Sequence, residues 1–389
     1  MPHKETHAVR VHADPSQYRE HTTPIYQTSS YMFDSAEHGQ ELFADQVEGN
    51  IYSRFSNPNT SELVAKLAVL EGMEEGFAFA SGMSAIFSSI AAFLDQGDHL
   101  VASRALFGST FQILTRILPR WGIQCSFVDG NDRDEWEKAI QPHTKMLFLE
   151  TPSNPGLAIY DLEMIGEIKR EHGLLLNVDN SFATPVIQNP VEYGADLIVH
   201  STTKFIDGQG RTIGGAAVCT PDAIGPLRFF ARHSGPCMAP FNAWLLSKSI
   251  ETLPVRMRAH CENAMDLASR LDGHPELEFV RYPFLPGHPQ YELAKKQMKM
   301  GGALLTIEVK GGLERARKFI NSLEVLTLSA NLGDTRTIVT HPATTTHSKL
   351  SEEERLQVGI TPGLLRIAVG LEHVDDIFLD ISRALDKSK

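Results

Sequence analysis

Asp196-Leu-Ile-Val-His-Ser-Thr-Thr-Lys204-Phe-Ile-Asp-Gly-Gln-Gly210 sets an apolar run of strand length before a lysine that is flanked by hydroxyls and followed by a glycine-rich loop. An ammonium group is poorly suited to an interior; condensation of Lys204 with an aldehyde removes the charge and prepares the amine to act later as a base. A lysine after threonine is, by itself, ordinarily a solvated surface charge, so its neighbours decide. Upstream, Leu174-Leu-Leu-Asn-Val-Asp179-Asn180 predicts a second strand with Asp179 at its C-terminal end, the edge where open α/β sheets bind ligands. A carboxylate there can keep a pyridine nitrogen protonated and make the ring an electron sink, whereas an isolated Asp179 reads as a helix cap. A third stretch, Phe79-Ala-Ser81-Gly82-Met83-Ser84, ends a strand-like run in a turn of small residues before the helical run Ala85–Leu94. Backbone N–H groups at such a helix start can cradle a phosphate, and Gly82 permits close approach. Ser201 and Thr203 add hydroxyl donors, and Arg54 in Tyr52-Ser-Arg-Phe-Ser-Asn-Pro58 adds a charge-assisted partner.

Outward from these segments, short apolar runs alternate with amphipathic ones: Gly76–Ala80, His99–Ser103, Ile123–Val128, Lys145–Glu150, Leu174–Asp179, Asp196–Ser201 and Gly214–Cys219. That alternation predicts an α/β domain with a mostly parallel central sheet covered on both faces. Residues 1–59 are polar and turn-rich and read as an extended arm, 60–254 as the large domain, and 255–389 as a smaller C-terminal α+β domain. Asn59 with Glu62 offers the first helix start after the arm. A helical region from Ala239 to Leu271 follows, with Pro254 as an internal boundary, and Ala303–Val309, Leu326–Asn331 and Leu364–Val369 are strand-like.

The chain has 389 residues, 42% hydrophobic and 22% charged, enough to bury a large core, which excludes a disordered or fibrous protein. A net charge of −12 gives no general attraction for nucleic acid or anionic membranes, so small molecules are the expected partners. Cys125, Cys219, Cys237 and Cys261 form no C-x-x-C pair and read as reduced thiols. No apolar h-region follows Met1-Pro-His-Lys-Glu5 and no apolar run reaches spanning length, so a cytoplasmic location is expected. Gly208-x-Gly210-x-x-x-Gly214 has the wrong spacing for a dinucleotide loop, Gly82-Met-Ser84 is not a nucleophile elbow, and no H-E-x-x-H occurs. His200, His341 and His347 read as packing or hydrogen-bonding residues, and no metal is expected.

These segments together resemble the Cys/Met-metabolism family of pyridoxal-phosphate enzymes. The likeness extends through Pro24-Ile-Tyr-Gln-Thr-Ser-Ser-Tyr31, Tyr52–Pro58, Glu150-Thr-Pro-Ser-Asn-Pro155, His341-Pro-Ala343 and Leu364-Leu-Arg-Ile-Ala-Val-Gly370. It implies fold type I, like aspartate aminotransferase, with pyridoxal 5'-phosphate as cofactor. Carried over by position, it implies a Schiff base on Lys204 and Asp179 at the ring nitrogen. It places Ser81, Gly82, Met83, Ser201 and Thr203 around the phosphate, Asn154 beside the ring oxygen, and Arg366 on the substrate carboxylate. Tyr52 and Arg54 would reach a neighbouring subunit's phosphate, which implies a homotetramer built as a dimer of dimers.

Two departures narrow the expected reaction. Phe107 stands where the family's lyases carry a tyrosine stacked on the cofactor, and a phenyl ring has no hydroxyl to protonate a departing thiolate. Asn331, in Ser329-Ala-Asn-Leu-Gly-Asp334, stands where lyases and cystathionine synthases usually have serine, as in the sulfhydrylases. Asp207-Gly-Gln-Gly-Arg211 resembles most the O-succinylhomoserine branch. The expectation is γ-replacement of O-acylhomoserine, O-succinyl favoured, by sulfide to give homocysteine, with Arg104 or Arg211 meeting the distal succinyl carboxylate. The alternatives are cystathionine γ-synthase, O-acetylhomoserine sulfhydrylase, a γ-lyase, or an inactive cofactor-binding regulator.

Overall fold

The computed structural model describes residues 3–348, 351–357 and 359–389; Met1 and Pro2 of the N-terminal reading lie outside them. Among these residues, β1 (Glu75–Phe79), β2 (His99–Ser103), β3 (Gln124–Val128), β4 (Thr144–Glu150), β5 (Leu175–Asp179), β6 (Leu197–His200) and β7 (Gly215–Cys219) form one sheet ordered β1-β7-β6-β5-β4-β2-β3. Strands β6, β5, β4, β2 and β3 run parallel, and β7 runs antiparallel to β1 and β6. Both faces are covered, which is why the strands read as continuous apolar runs. Leu147, Val178 and Ile198 pack with Leu63, Ile165 and Leu246 on one face, and Phe148, Leu197 and Val199 with Ile86, Ile90 and Leu227 on the other. In this sheet no strand end differs from its sequence expectation by more than one residue.

Four helices precede or adjoin the first strands: α1 (Lys4–Arg10), α2 (Ala36–Phe43), α3 (Pro58–Glu71) and α4 (Gly82–Ala91). The start of α3 corrects the Asn59–Glu62 expectation. Asn57 is the cap, its side chain accepting from the Asn59 N–H at 2.9 Å, and Pro58 fits the first turn because its missing N–H is not needed there. Asn59 lies inside the helix and ties down the arm through Pro24 O and the Tyr26 N–H. Glu62 closes no capping box; it is buried against Lys66 at 3.1 Å and accepts from Thr23 and Ser247. The arm is thus partly helical, with α1 packed on α3 and on the helix Leu253–Leu271. That helix carries Pro254 in its first turn and follows the helix Pro240–Ile250, which is the boundary the proline predicts.

A second sheet contains β8 (Leu277–Arg281), β9 (Leu304–Val309), β10 (Thr327–Leu328), β11 (Ile338–Thr340) and β12 (Leu364–Ala368), ordered β10-β11-β12-β9-β8. The predicted strand Leu326–Asn331 is cut to Thr327–Leu328, after which the chain leaves the ladder and carries Asn331 to Lys204. β8 and β11 escaped the sequence reading because one is a half-exposed edge and the other is three residues long. Among the described residues no helix is long and apolar enough to cross a membrane.

Candidate active site

The C-terminal ends of β4, β5 and β6 converge with the first turn of α4. There the residue after β6, Ser201, donates its N–H to Ser181 Oγ at 2.7 Å, and the turn that follows presents Lys204. Lys204 is half-buried, and its Nζ donates to Asn331 Oδ1 at 2.6 Å. Burial, with the nearby Arg366 charge adding to it, lowers the proton affinity of this amine from the usual lysine range to about 8.

Asp179 ends β5 and is buried; its Oδ1 accepts the Ser181 N–H at 3.0 Å. Burial raises its proton affinity, while the Ser181 hydrogen bonds and the field of His200 oppose the rise. Behind it, His200 Nε2 lies 2.7 Å from Glu71 Oε1 with both side chains out of solvent, which bears out its reading as a hydrogen-bonding residue.

The first turn of α4 is closed by a reciprocal cap: Ser81 accepts from the Ser84 N–H, and Ser84 Oγ accepts from the Ser81 N–H at 3.0 Å. The N–H groups of Gly82 and Met83, first in the helix, have no acceptor within it. A Cβ on Gly82 would lie 2.5 Å from Ser201 Cβ and 2.8 Å from its Cα, so only glycine lets the helix start abut the strand that leads to Lys204. Thr203 is turned to the loop, where its hydroxyl donates to Gly214 O and accepts from the Gly214 N–H.

Arg366, central in β12, crosses from the second sheet. Its guanidinium donates to Asn154 Oδ1 at 3.0 Å and to Asn331 O and Thr340 Oγ1 at 3.2 Å each, while its buried Nε has no partner among the described residues. Burial works against the charge, but a guanidinium keeps its proton at neutral pH. Phe107 is held by its backbone, its N–H donating to Glu150 Oε2 at 2.9 Å.

Three of the expected arginines are held by other partners within this chain. Arg54 lies over the Tyr52 and Phe55 rings and donates to Arg232 O. Arg211 folds back on Asp207 Oδ1 at 2.9 Å and on Ser249. Arg104 is exposed and reaches Glu135 at 3.4 Å. Conversely, sequence reasoning gave no role to Glu150, Ser181 or Thr340. For Glu150 the signal was present: like Asp179, it is a carboxyl closing a fully apolar run.

The site suits pyridoxal phosphate on the structure's own terms: among the described residues it has an amine without a carboxylate partner, a carboxylate on the sheet edge, a glycine-tight helix N-terminus for a phosphate, and a buried arginine with an unused donor. Comparison with known proteins agrees. The family model for Cys/Met metabolism PLP-dependent enzymes matches residues 5–386. The chain belongs to that family. An O-succinylhomoserine sulfhydrylase of Pseudomonas aeruginosa is 43% identical to it over 98% of this chain and 94% of the relative. An L-methionine gamma-lyase of Porphyromonas gingivalis is 45% identical over 94% and 92%. A Campylobacter jejuni structure described as an O-acetylhomoserine (thiol)-lyase superposes with a TM-score of 0.95 at 35% identity, covering 99% of this chain and 100% of that one, and contains a pyridoxyl-lysine phosphate. This family member is a pyridoxal-phosphate-dependent enzyme of fold type I.

Proposed function

We propose that this enzyme replaces the acyloxy group of an O-acylhomoserine, O-succinylhomoserine by preference, with sulfide to form homocysteine. Phe107 carries the reading: this residue, whose backbone N–H is held by Glu150, has no hydroxyl with which to protonate a departing thiolate, whereas an acyloxy group leaves as a stable carboxylate. The relatives that share 43 to 44% identity and bear the sulfhydrylase name support it.

Pyridoxal phosphate, when bound, supplies the electron sink that acidifies the substrate's α- and β-hydrogens. Lys204 Nζ takes the α-proton, since its lowered proton affinity populates the free amine near neutral pH and Asn331 Oδ1 orients it. Arg366 receives the substrate carboxylate with its spare donor, and Asp179 holds the proton of the ring nitrogen. Gly82, Met83, Ser81 and Ser201 hold the phosphate. Residues 60–254 supply the cofactor side, 255–389 the carboxylate side, and Tyr52 and Arg54 of the 1–59 arm serve a neighbouring subunit of a homotetramer. Of the two arginines considered for the distal succinyl group, Arg104 is the freer, because Asp207 and Ser249 engage Arg211.

The methionine gamma-lyase relatives, up to 45% identical, favour a second reading, γ-elimination. Purified enzyme given O-succinyl- or O-acetylhomoserine with sulfide, with cysteine, and with no thiol, and given methionine alone, separates the two. Homocysteine from the succinyl ester is the expected product; 2-oxobutyrate from methionine at a comparable rate would sink the replacement reading.

A further inference from the structure

Glu150 and Asp179 end neighbouring parallel strands and are paired with each other in register. Their side chains therefore emerge at one level on one face, and both are buried, with 4% and 7% of their surface exposed. Two carboxylates so placed do not both stay ionised unless a cation separates them. The cations nearby are otherwise engaged. Arg366, whose field reaches Glu150, directs its hydrogen bonds to Asn154, Asn331 and Thr340. Lys204 turns to Asn331, and His200, whose field reaches Asp179, turns to Glu71.

The surroundings divide the pair. Asp179 accepts an N–H from Ser181 and feels His200, both of which favour its anion. Among the described residues Glu150 accepts one hydrogen bond, from the Phe107 N–H, and faces Tyr160, which offers it no charge. Burial, reinforced by Asp179, holds the Glu150 carboxyl well above the usual range.

We propose that the two carboxyls share one proton and that Glu150 keeps it: Glu150 is a neutral acid whose carbonyl oxygen fixes the Phe107 backbone and leaves Asp179 the sole anion of the pair. Glu150 is then a positioning residue, acting through Phe107 and Asp179. The functional part of the proposal rests on the reading of Asp179 as the partner of the ring nitrogen; the location of the proton does not.

The test compares holoenzyme with its Glu150→Gln variant, which replaces a neutral acid by a neutral isostere that still accepts from Phe107. The infrared difference spectrum should show the carbonyl stretch of a protonated carboxylic acid, present at neutral pH in the parent and lost in the variant. Cofactor affinity and the visible absorbance band, with its pH midpoint, should be unchanged. Glu150→Ala, which strands the Phe107 N–H, should weaken cofactor binding by roughly tenfold. Absence of the protonated-acid band, or a loss of cofactor affinity in Glu150→Gln equal to that in Glu150→Ala, overturns the proposal. Asp179→Asn separates the two readings: unchanged cofactor affinity there refutes the role of Asp179 at the ring, while the infrared band still reports on Glu150.

Discussion

The sheet edge at β4, β5 and β6 and the arm before α3 present polar and aromatic groups in opposite ways. At the edge, the main groups are fixed inside the chain: Lys204 on Asn331, Asp179 on Ser181, Arg366 on Asn154, and Phe107 on Glu150. In the arm, Met32 and Tyr18 are 96% and 83% exposed, and Arg54 rests on the rings of Tyr52 and Phe55. Exposed apolar side chains gathered in one segment mark a surface built to be covered. The difference teaches that the groups at the sheet edge are held by partners within one chain, while the arm leaves apolar groups exposed that a second copy would cover in the proposed oligomer.

Breaking the edge should have the largest effect. Lys204→Ala removes the amine proposed to move the α-proton and should lower turnover by on the order of 10⁴-fold or more in a steady-state assay. Asp179→Asn should cost about 10² to 10⁴-fold, with folding intact by circular dichroism. In the arm, Arg54→Ala should weaken cofactor binding by roughly tenfold through loss of a charge-assisted contact. The sharper test of the comparison is complementation. At limiting cofactor, mixed oligomers of Lys204→Ala and Arg54→Ala chains should be more active than either parent, and no gain would place Arg54 outside any shared site.

The pH dependence of cofactor recapture sharpens the edge side. The neutral amine is the reactive form, so the rate at which cofactor-free protein takes up pyridoxal phosphate should rise with pH and level off above about 8. A rate still climbing toward the ordinary lysine range would mean that Lys204 is solvated. The smallest effect should come from Arg211→Ala, which breaks a contact with Asp207 at some distance from the edge residues; a changed ratio of succinyl to acetyl ester turnover would restore Arg211 to the substrate.

The parts legible in sequence were those whose chemistry is local. Buried parallel strands are mostly apolar, so each strand of the large sheet announced itself, and Asp179, Lys204 and Gly82 stood out because their residue types follow those runs at the ends. What needed topology stayed hidden. Nothing in the order of residues says that β4 lies beside β5, so Glu150 could not be seen as the neighbour of Asp179. Arg366 meets Asn154, and Asn331 meets Lys204, only because elements of the second sheet come up against the edge of the first. Asn57 and Asn59 offer the same capping chemistry, and the choice between them falls to the contacts of Asn59 with Pro24 and Tyr26 in the arm. The engagement of Arg211 by Asp207 depends on how the glycine-rich loop folds, which the flexibility of Gly208 and Gly210 leaves open.

Strand β7 enters the sheet in reverse, between β1 and β6, and seats Gly215 so close to Ser81 O that a Cβ would lie 2.1 Å away. On a ribosome this has a cost in time: β1 is made early yet stays a bare edge until the polypeptide through Cys219 has emerged. Yellow colour therefore becomes a reporter of completed threading, and nascent chains halted short of β7 should be both colourless and prone to clump.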